Sequence, residues 1–446
     1  MSKKNIDLSK LFDDLFPICR SICGEGINQS LKIISRFMPF KINSVASGSE
    51  VFDWIIPKEW KLNRATLKDS NGKIVIDSNI NNLHVLNFSE PFSGQLDLSD
   101  LKKNLYSIPE IPEAIPYVTS YYKERWGFCL SDNDKQKLKD DTYSIDINVE
   151  KKDGFLNYGI CDLPGKTEDI FLISTYLCHP SMANNELSGP LAMVKLYDYL
   201  KNKKNREYSY KFIICPETIG SIAYLFQEKK KTLKKVMGGM VLTCLGGPEG
   251  KISFKLSRRD WVNSPSKIDL YARHLSKFLP NIYSIREFTP TGGSDERQYC
   301  SPKINLPIIQ ASKTVYGEYK EYHNSLDTKE FMRIKSVEES ADSLIEFIEC
   351  FEMLKYKVNS NIEGGEPMLS KRNLYPSIMS PESQFLSNDK NIDGRNYLNL
   401  MLKVLSLCDG TKDILGVAEK LSTSIFVIKK LILELVESQV VFFETK

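Results

Sequence analysis

DIFLISTYLCHPSMANNELSGPLAMVKLYDYL, residues 169–200, reads in succession as an apolar strand, a polar loop and an amphipathic helix. The strand is apolar almost throughout, which is the pattern of a strand covered on both faces and belongs to parallel sheets. The same alternation continues through KFIICPE, IGSIAYLFQEKK, GGMVLTCLG, SKIDLYARHLSKFLP, LPIIQAS and SVEESADSLIEFIECFEML. Apolar strands separated by helices predict an α/β domain with a mainly parallel sheet covered by helices.

Upstream the pattern changes. Residues 58–130 carry short alternating strands (KIVIDS, HVLNFS) broken by Asn, Ser, Gly and the Pro-rich SIPEIPEAIP, which predicts a small β-rich insert. The α/β core is then built from 1–57 and 131–358. Trp54, Pro57 and Trp60 in FDWIIPKEW are expected to anchor the insert to it. Downstream, a polar linker over 359–396 leads to three helical patterns and the strand-like QVVFFET, the order of a winged helix over 397–446. Its third helix offers Lys429 and Lys430 as a basic pair, which favours packing or interaction over DNA binding.

Charge decides little. Lys+Arg 60 against Asp+Glu 57 leaves a formal +3 over 446 residues, too little to demand nucleic acid, an anionic membrane or a polyacid as partner. The ten cysteines lack a paired framework. Cys178, Cys215 and Cys244 lie in or just after apolar runs, as buried thiols do, so a cytoplasmic, reducing location is expected. Cys19 and Cys23, one helical turn apart, should pack rather than clip a metal. No secretory pattern is visible, and no apolar run approaches the roughly 20 residues that span a bilayer.

Chemistry should collect beyond the carboxyl ends of the strands. There the sequence places Cys178, His179 and ANNELSG, then Pro216-Glu217-Thr218, then GGSDERQY with Asp295, Glu296 and Arg297, then His323 with Asp327. Only four histidines exist, and two fall in these loops; His84 and His274 are expected to be hydrogen-bonded structural residues. Imidazoles suit zinc, and a catalytic site needs three protein ligands and an open position. Glu217 is then the expected general base. A thiol nucleophile at Cys178 is disfavoured because neighbours in a strand face opposite ways. Arg258, Arg259 and Arg297 are candidate forks for an acidic substrate group.

The order His179, Ser188-Gly189, Glu217 before Ile219-Gly220-Ser221, Ser294-Asp295 and Tyr322-His323 resembles the zinc aminopeptidases that use two metals. FDWIIPKEW, CHPSMANNELSGP, PETIGSIAYL, GGSDERQY and the winged helix together are similar to bacterial aminopeptidase-like proteins, often labelled as polysaccharide-biosynthesis proteins. The resemblance makes His179 the first histidine ligand, Glu217 the base, His323 the last ligand and Asp327 an orienting carboxylate. It also marks departures. Asn185, Thr218 and Thr243 stand where the two-metal enzymes carry carboxylate ligands, and Ser181 where an aspartate orients the first histidine. One zinc rather than two is therefore expected, with Glu186, Asp295 or Glu296 as oxygen ligand. The implied function is zinc-dependent hydrolysis of an amide in a peptide or N-acylated sugar, and the alternative is an inactive binding or scaffold protein. Homo-oligomerisation stays open.

Overall fold

A computed structural model describes residues 6–374 and 394–444. Its main sheet contains β1 (Lys41–Ala46), β2 (Phe155–Leu163), β3 (Ile170–Tyr176), β4 (Ser209–Cys215), β5 (Val236–Leu242), β6 (Ile252–Lys255) and β7 (Ile308–Ser312). These seven of the sheet's eight strands lie in the spatial order β1-β2-β4-β3-β5-β7-β6. The central strands β4, β3, β5 and β7 pair in parallel. β1, β2 and β6 extend the sheet through antiparallel pairings. The expected α/β layering is thus present, with antiparallel edges that apolar content alone did not distinguish.

β3 is the centre of this sheet. All seven of its residues are buried, and Phe171, Leu172 and Ile173 are wholly inaccessible. Burial of each such side chain contributes about 1.5–3 kcal/mol. From β3 the chain passes through α1 (Ser188–Asn202) to β4 on one side, then through α2 (Ile219–Gln227) to β5 on the other. Crossovers that diverge in this way open a crevice beyond the carboxyl ends of β3 and β4. Gly189 lets α1 sit close to the sheet: a Cβ there would lie 2.3 Å from Thr175 Oγ1 and 2.6 Å from the Leu242 carbonyl oxygen.

The β-rich part is a four-stranded antiparallel sheet. Glu59–Lys68 pairs with Ile74–Asp77 and with Thr142–Lys152, which also pairs with Phe92–Asp97. The boundary at 130 is corrected, since Thr142–Lys152 is a central strand of this sheet and buries alternate residues. Trp60 is buried; its Nε1 donates to the Ser89 carbonyl within the insert, and its backbone N–H donates to the Cys23 carbonyl at 3.3 Å. Trp54 departs from expectation, being 37% exposed.

The chain divides into two compact units, Met1–Asp269 with Ile285–Leu344, and Leu270–Ser284 with Ile345–Lys446. The second contains the winged-helix elements, helices Gly394–Leu405, Ile414–Lys420 and Ile425–Glu437, and an antiparallel pairing of strand Lys357–Ser360 with Val441–Glu444. The strand Lys357–Ser360 occupies the start of the expected linker, whose part from 375 to 393 lies outside the described residues. All ten cysteines are unpaired. No helix among the described residues is long and apolar enough to cross a membrane.

Candidate active site

Beyond β3 the chain turns sharply, with Ser181 at φ 48°, and enters a wide turn, Ala183–Leu187. Asp327 holds this turn by accepting the backbone N–H of Asn184 at 2.7 Å and of Asn185 at 2.9 Å. Expected to orient His323, Asp327 instead fixes the loop that carries Glu186. Burial raises its carboxyl to about 7.

The turn brings Glu186 back onto His179, with Oε2 2.7 Å from Nδ1. Arg20 completes the arrangement. Its Nε donates to the His179 carbonyl oxygen at 3.0 Å and lies 3.7 Å from Glu186 Oε1, and both charged side chains are fully buried. Burial pulls the Arg20 guanidinium below its usual pKa while Glu186 works in the opposite sense. Burial also pulls His179 down, but the Glu186 carboxylate and then Glu217 outweigh it, so its pKa rises. The result is a buried series, Arg20–Glu186–His179, in which Glu186 fixes one imidazole nitrogen and leaves Nε2 for the pocket.

Beyond β4, Thr218 adopts φ 64°, a costly conformation for a β-branched residue, and presents Glu217. Glu217 Oε1 accepts from Ser294 Oγ at 2.6 Å, and Oε2 lies 3.6 Å from His179 Nε2. Burial raises the Glu217 pKa, opposed by His179 and by the Ser294 hydrogen bond. His179, Glu217, Thr218 and Cys178 line a cavity of about 250 Å³ together with Trp54 and Tyr122.

The His323 ring centroid is 5.3 Å from that of His179, and Tyr117 sits against both rings. Burial, then the neighbouring His179, lowers His323 to about 3, so it is a neutral imidazole with a free lone pair. The remaining candidates are engaged elsewhere. Asp295 Oδ1 accepts from Thr218 N at 2.7 Å and Ser221 Oγ at 2.9 Å, tying its loop to the start of α2. Glu296 pairs with buried Lys255 at 2.9 Å and accepts from Ser294 N and Gln310. Neither behaves as the expected oxygen ligand. Arg258 and Arg259 bond to Asn305, and Arg297 to the Ser294 carbonyl, so the three form no shared fork. Thr243 Oγ1 meets the Tyr176 hydroxyl, which also receives Asn185 Nδ2 at 3.1 Å. Asn185 Oδ1 is buried without a hydrogen-bond partner.

From sequence Ser294 enters only as part of the Ser294-Asp295 pattern, and Arg20 not at all. Arg20 is signalled only as a lone charge within PICRSIC, and its partner lies 166 positions away in the chain, a separation no spacing rule reaches. His84 and His274 are hydrogen-bonded as expected, to the Cys129 carbonyl and to Glu419 respectively.

Bridging two divalent cations takes carboxylate oxygens, and Asn185, Thr218 and Thr243 offer none. Among the described residues, Cys178, His179 and Glu186 form one compact group of metal-ligand type. It makes a poor cage: the 2.7 Å contact is a hydrogen bond, Arg20 already neutralises Glu186, and burial pushes the Cys178 thiol well up. On the other side of the His179 ring, Nε2 faces Glu217, the His323 ring centroid lies 5.3 Å from that of His179, and Asn185 Oδ1 is buried without a hydrogen-bond partner. The Glu186 contact at Nδ1 fixes the orientation of the His179 ring.

A largely parallel sheet with its polar residues gathered beyond β3 and β4 defines an aminopeptidase-like α/β fold with a winged helix appended. The chain belongs to the family described as domain of unknown function (DUF4910), whose model matches residues 9–353; residues 357–442 match a winged helix-turn-helix family. A Clostridium acetobutylicum relative, described as a candidate polysaccharide biosynthesis protein with aminopeptidase-like domain, is 37% identical over 93% of this chain and 91% of its own length. The crystal structure of a candidate peptidase from the same species superposes with TM-score 0.87 at 34% identity, covering 98% of this chain and 96% of that one. A Bacillus subtilis zinc aminopeptidase matches with TM-score 0.53 at 13% identity, over 76% of this chain and 93% of that one, and supports the fold alone.

Proposed function

We propose that the His179–Glu217 pocket hydrolyses an amide bond in a small peptide or an N-acylated sugar, with one zinc ion, in surface-polysaccharide biosynthesis. The observation that carries this reading is the orientation of His179: Glu186 holds Nδ1, and Nε2 faces Glu217 Oε2 at 3.6 Å. His179 Nε2, His323 and Asn185 Oδ1 would hold the ion. When bound, zinc acidifies a water and polarises the scissile carbonyl. Glu217 serves as general base, with Ser294 fixing Oε1 and leaving Oε2 to accept the proton of that water. Arg20 and Glu186 keep the imidazole in one orientation. The relative's description supports the polysaccharide setting, and ten unpaired cysteines favour a reducing compartment such as the cytoplasm.

A non-catalytic binding protein is the second reading, favoured by the neutral side chains at Asn185, Thr218 and Thr243. Metal analysis separates the two. The enzyme reading expects close to one zinc per chain, lost in His179→Ala and His323→Ala. Glu217→Gln should keep the zinc while abolishing turnover of leucine p-nitroanilide or of N-acetylglucosamine. Metal-free protein whose fold ignores chelator overturns it.

A further inference from the structure

The cavity holding His179 and Glu217 shares Trp54 with a second, larger cavity of about 600 Å³. Helix α2 runs along both. Its first residue, Ile219, lines the catalytic cavity, and Ile222 and Leu225, at successive three-residue steps, line the larger one. Three-residue steps keep side chains on adjoining parts of one helix face, so this apolar stripe leads away from Glu217. Phe52, Pro302 and Ile304 complete the apolar lining of the second cavity, whose polar groups include Gln298 and Lys303.

Phe52 and Trp54 come from a tight hairpin in which Val51 pairs with Trp54 and Glu50 with Ile55. The hairpin does not bury them. Phe52 is 58% exposed and Ile55 57%. Phe52 also occupies φ 55°, the left-handed region that favours glycine, at a cost of roughly 1–2 kcal/mol. A large aromatic side chain held in a strained turn and left facing solvent gains little from the core. Its contacts are to aromatic neighbours on the rim: Phe52 is edge-on to Phe226 at 5.3 Å, and Trp54 to Tyr122 at 5.6 Å.

We infer that the Trp54 groove is a second subsite, which receives a bulky apolar group carried by the substrate beyond its scissile amide. This rests on the reading of the His179–Glu217 pocket as the reacting site. The groove adjoins that pocket at Trp54, which names the occupant as the far end of the same molecule. Its lining names the chemistry. A bare sugar would bring several hydroxyls, each needing a partner, into walls that are mostly hydrocarbon. An aromatic or aliphatic group loses only its apolar hydration there. The group can arrive as a peptide side chain or as the acyl chain of an amino sugar, and both present the same surface.

Calorimetry on the Glu217→Gln protein reads binding without turnover. The probes are leucyl-phenylalanine amide against leucyl-glycine amide, and N-octanoylglucosamine against N-acetylglucosamine. At least one apolar probe should bind tenfold or more tighter than its small counterpart, and whichever pair shows the gain identifies the source of the apolar group. Trp54→Ala, and independently the surface change Phe52→Asn, should reduce that gain to threefold or less. No gain in either pair overturns the subsite, as does a gain that survives both substitutions. The outcome is separable from the hydrolase reading: stoichiometric zinc without an apolar preference removes the groove alone, while metal-free protein that keeps the preference removes the hydrolase alone.

Discussion

Arg20 and Glu186 are both fully buried, and each offsets the charge of the other. An isolated buried charge costs several kcal/mol, whereas a pair replaced together by uncharged groups of similar size is often neutral. Arg20→Met should therefore destabilise the protein by about 3–5 kcal/mol, because it leaves Glu186 uncompensated against His179. Arg20→Met with Glu186→Gln should recover much of that loss. Urea unfolding of the two single variants and the double variant closes the cycle; additive losses would show that the pair is not coupled. At this scale the sequence was legible in its residue types and not in its contacts. The neutral side chains of Asn185, Thr218 and Thr243 are visible without coordinates. That Asp295 and Glu296 face α2 and Lys255 rather than the histidines depends on how the 292–297 loop folds back, which adjacent positions in GGSDERQY do not encode.

Elements were legible where one physical pattern dominated. β3 is apolar at every position because both faces are covered, and so it stands out in the chain. Thr142–Lys152 was assigned to the core because it lies where that run of apolar strands begins, although its alternation of buried and exposed residues is the mark of a half-covered sheet. The adjoining strand pair supplies a test by pH. Arg64 on Glu59–Lys68 meets Asp77 on Ile74–Asp77 through two hydrogen bonds, at 3.2 and 2.7 Å. The Arg64 hydrogen bonds, aided by the Asn79 backbone N–H, hold the Asp77 carboxyl below its ordinary pKa. A carboxyl depressed in the folded state stabilises above the unfolded value of about 3.9 and loses that contribution as pH falls through the folded value. Asp77→Asn should thus melt below the parent at pH 7, with the gap narrowing toward pH 2. A gap that stays constant with pH would assign the loss to packing.

For the whole molecule, sequence families and physical units divide the chain differently. The family matches break between residues 353 and 357, yet the second compact unit takes in Leu270–Ser284 from far inside the first match. His274 shows why. Its Nε2 accepts the backbone N–H of Ile425 at 3.0 Å, satisfying a first-turn donor of helix Ile425–Glu437, while Nδ1 pairs with Glu419 on the preceding helix. Tyr271, one turn earlier, packs on Phe347 with ring centroids 4.6 Å apart. The winged helix is therefore completed by a segment, 270–284, that ends 73 residues before 357, so its stability cannot reside in 357–444 alone. A chain ending at residue 356 should expose the apolar surface around His274 and melt several degrees below the full chain, and residues 357–446 alone should lack a cooperative transition. In the full chain, His274→Ala should cost about 1–3 kcal/mol, the range for leaving a buried donor unsatisfied. If the truncated chain melts at the parent temperature and the excised winged helix folds cooperatively, the two family segments are independent domains and His274 only decorates their boundary.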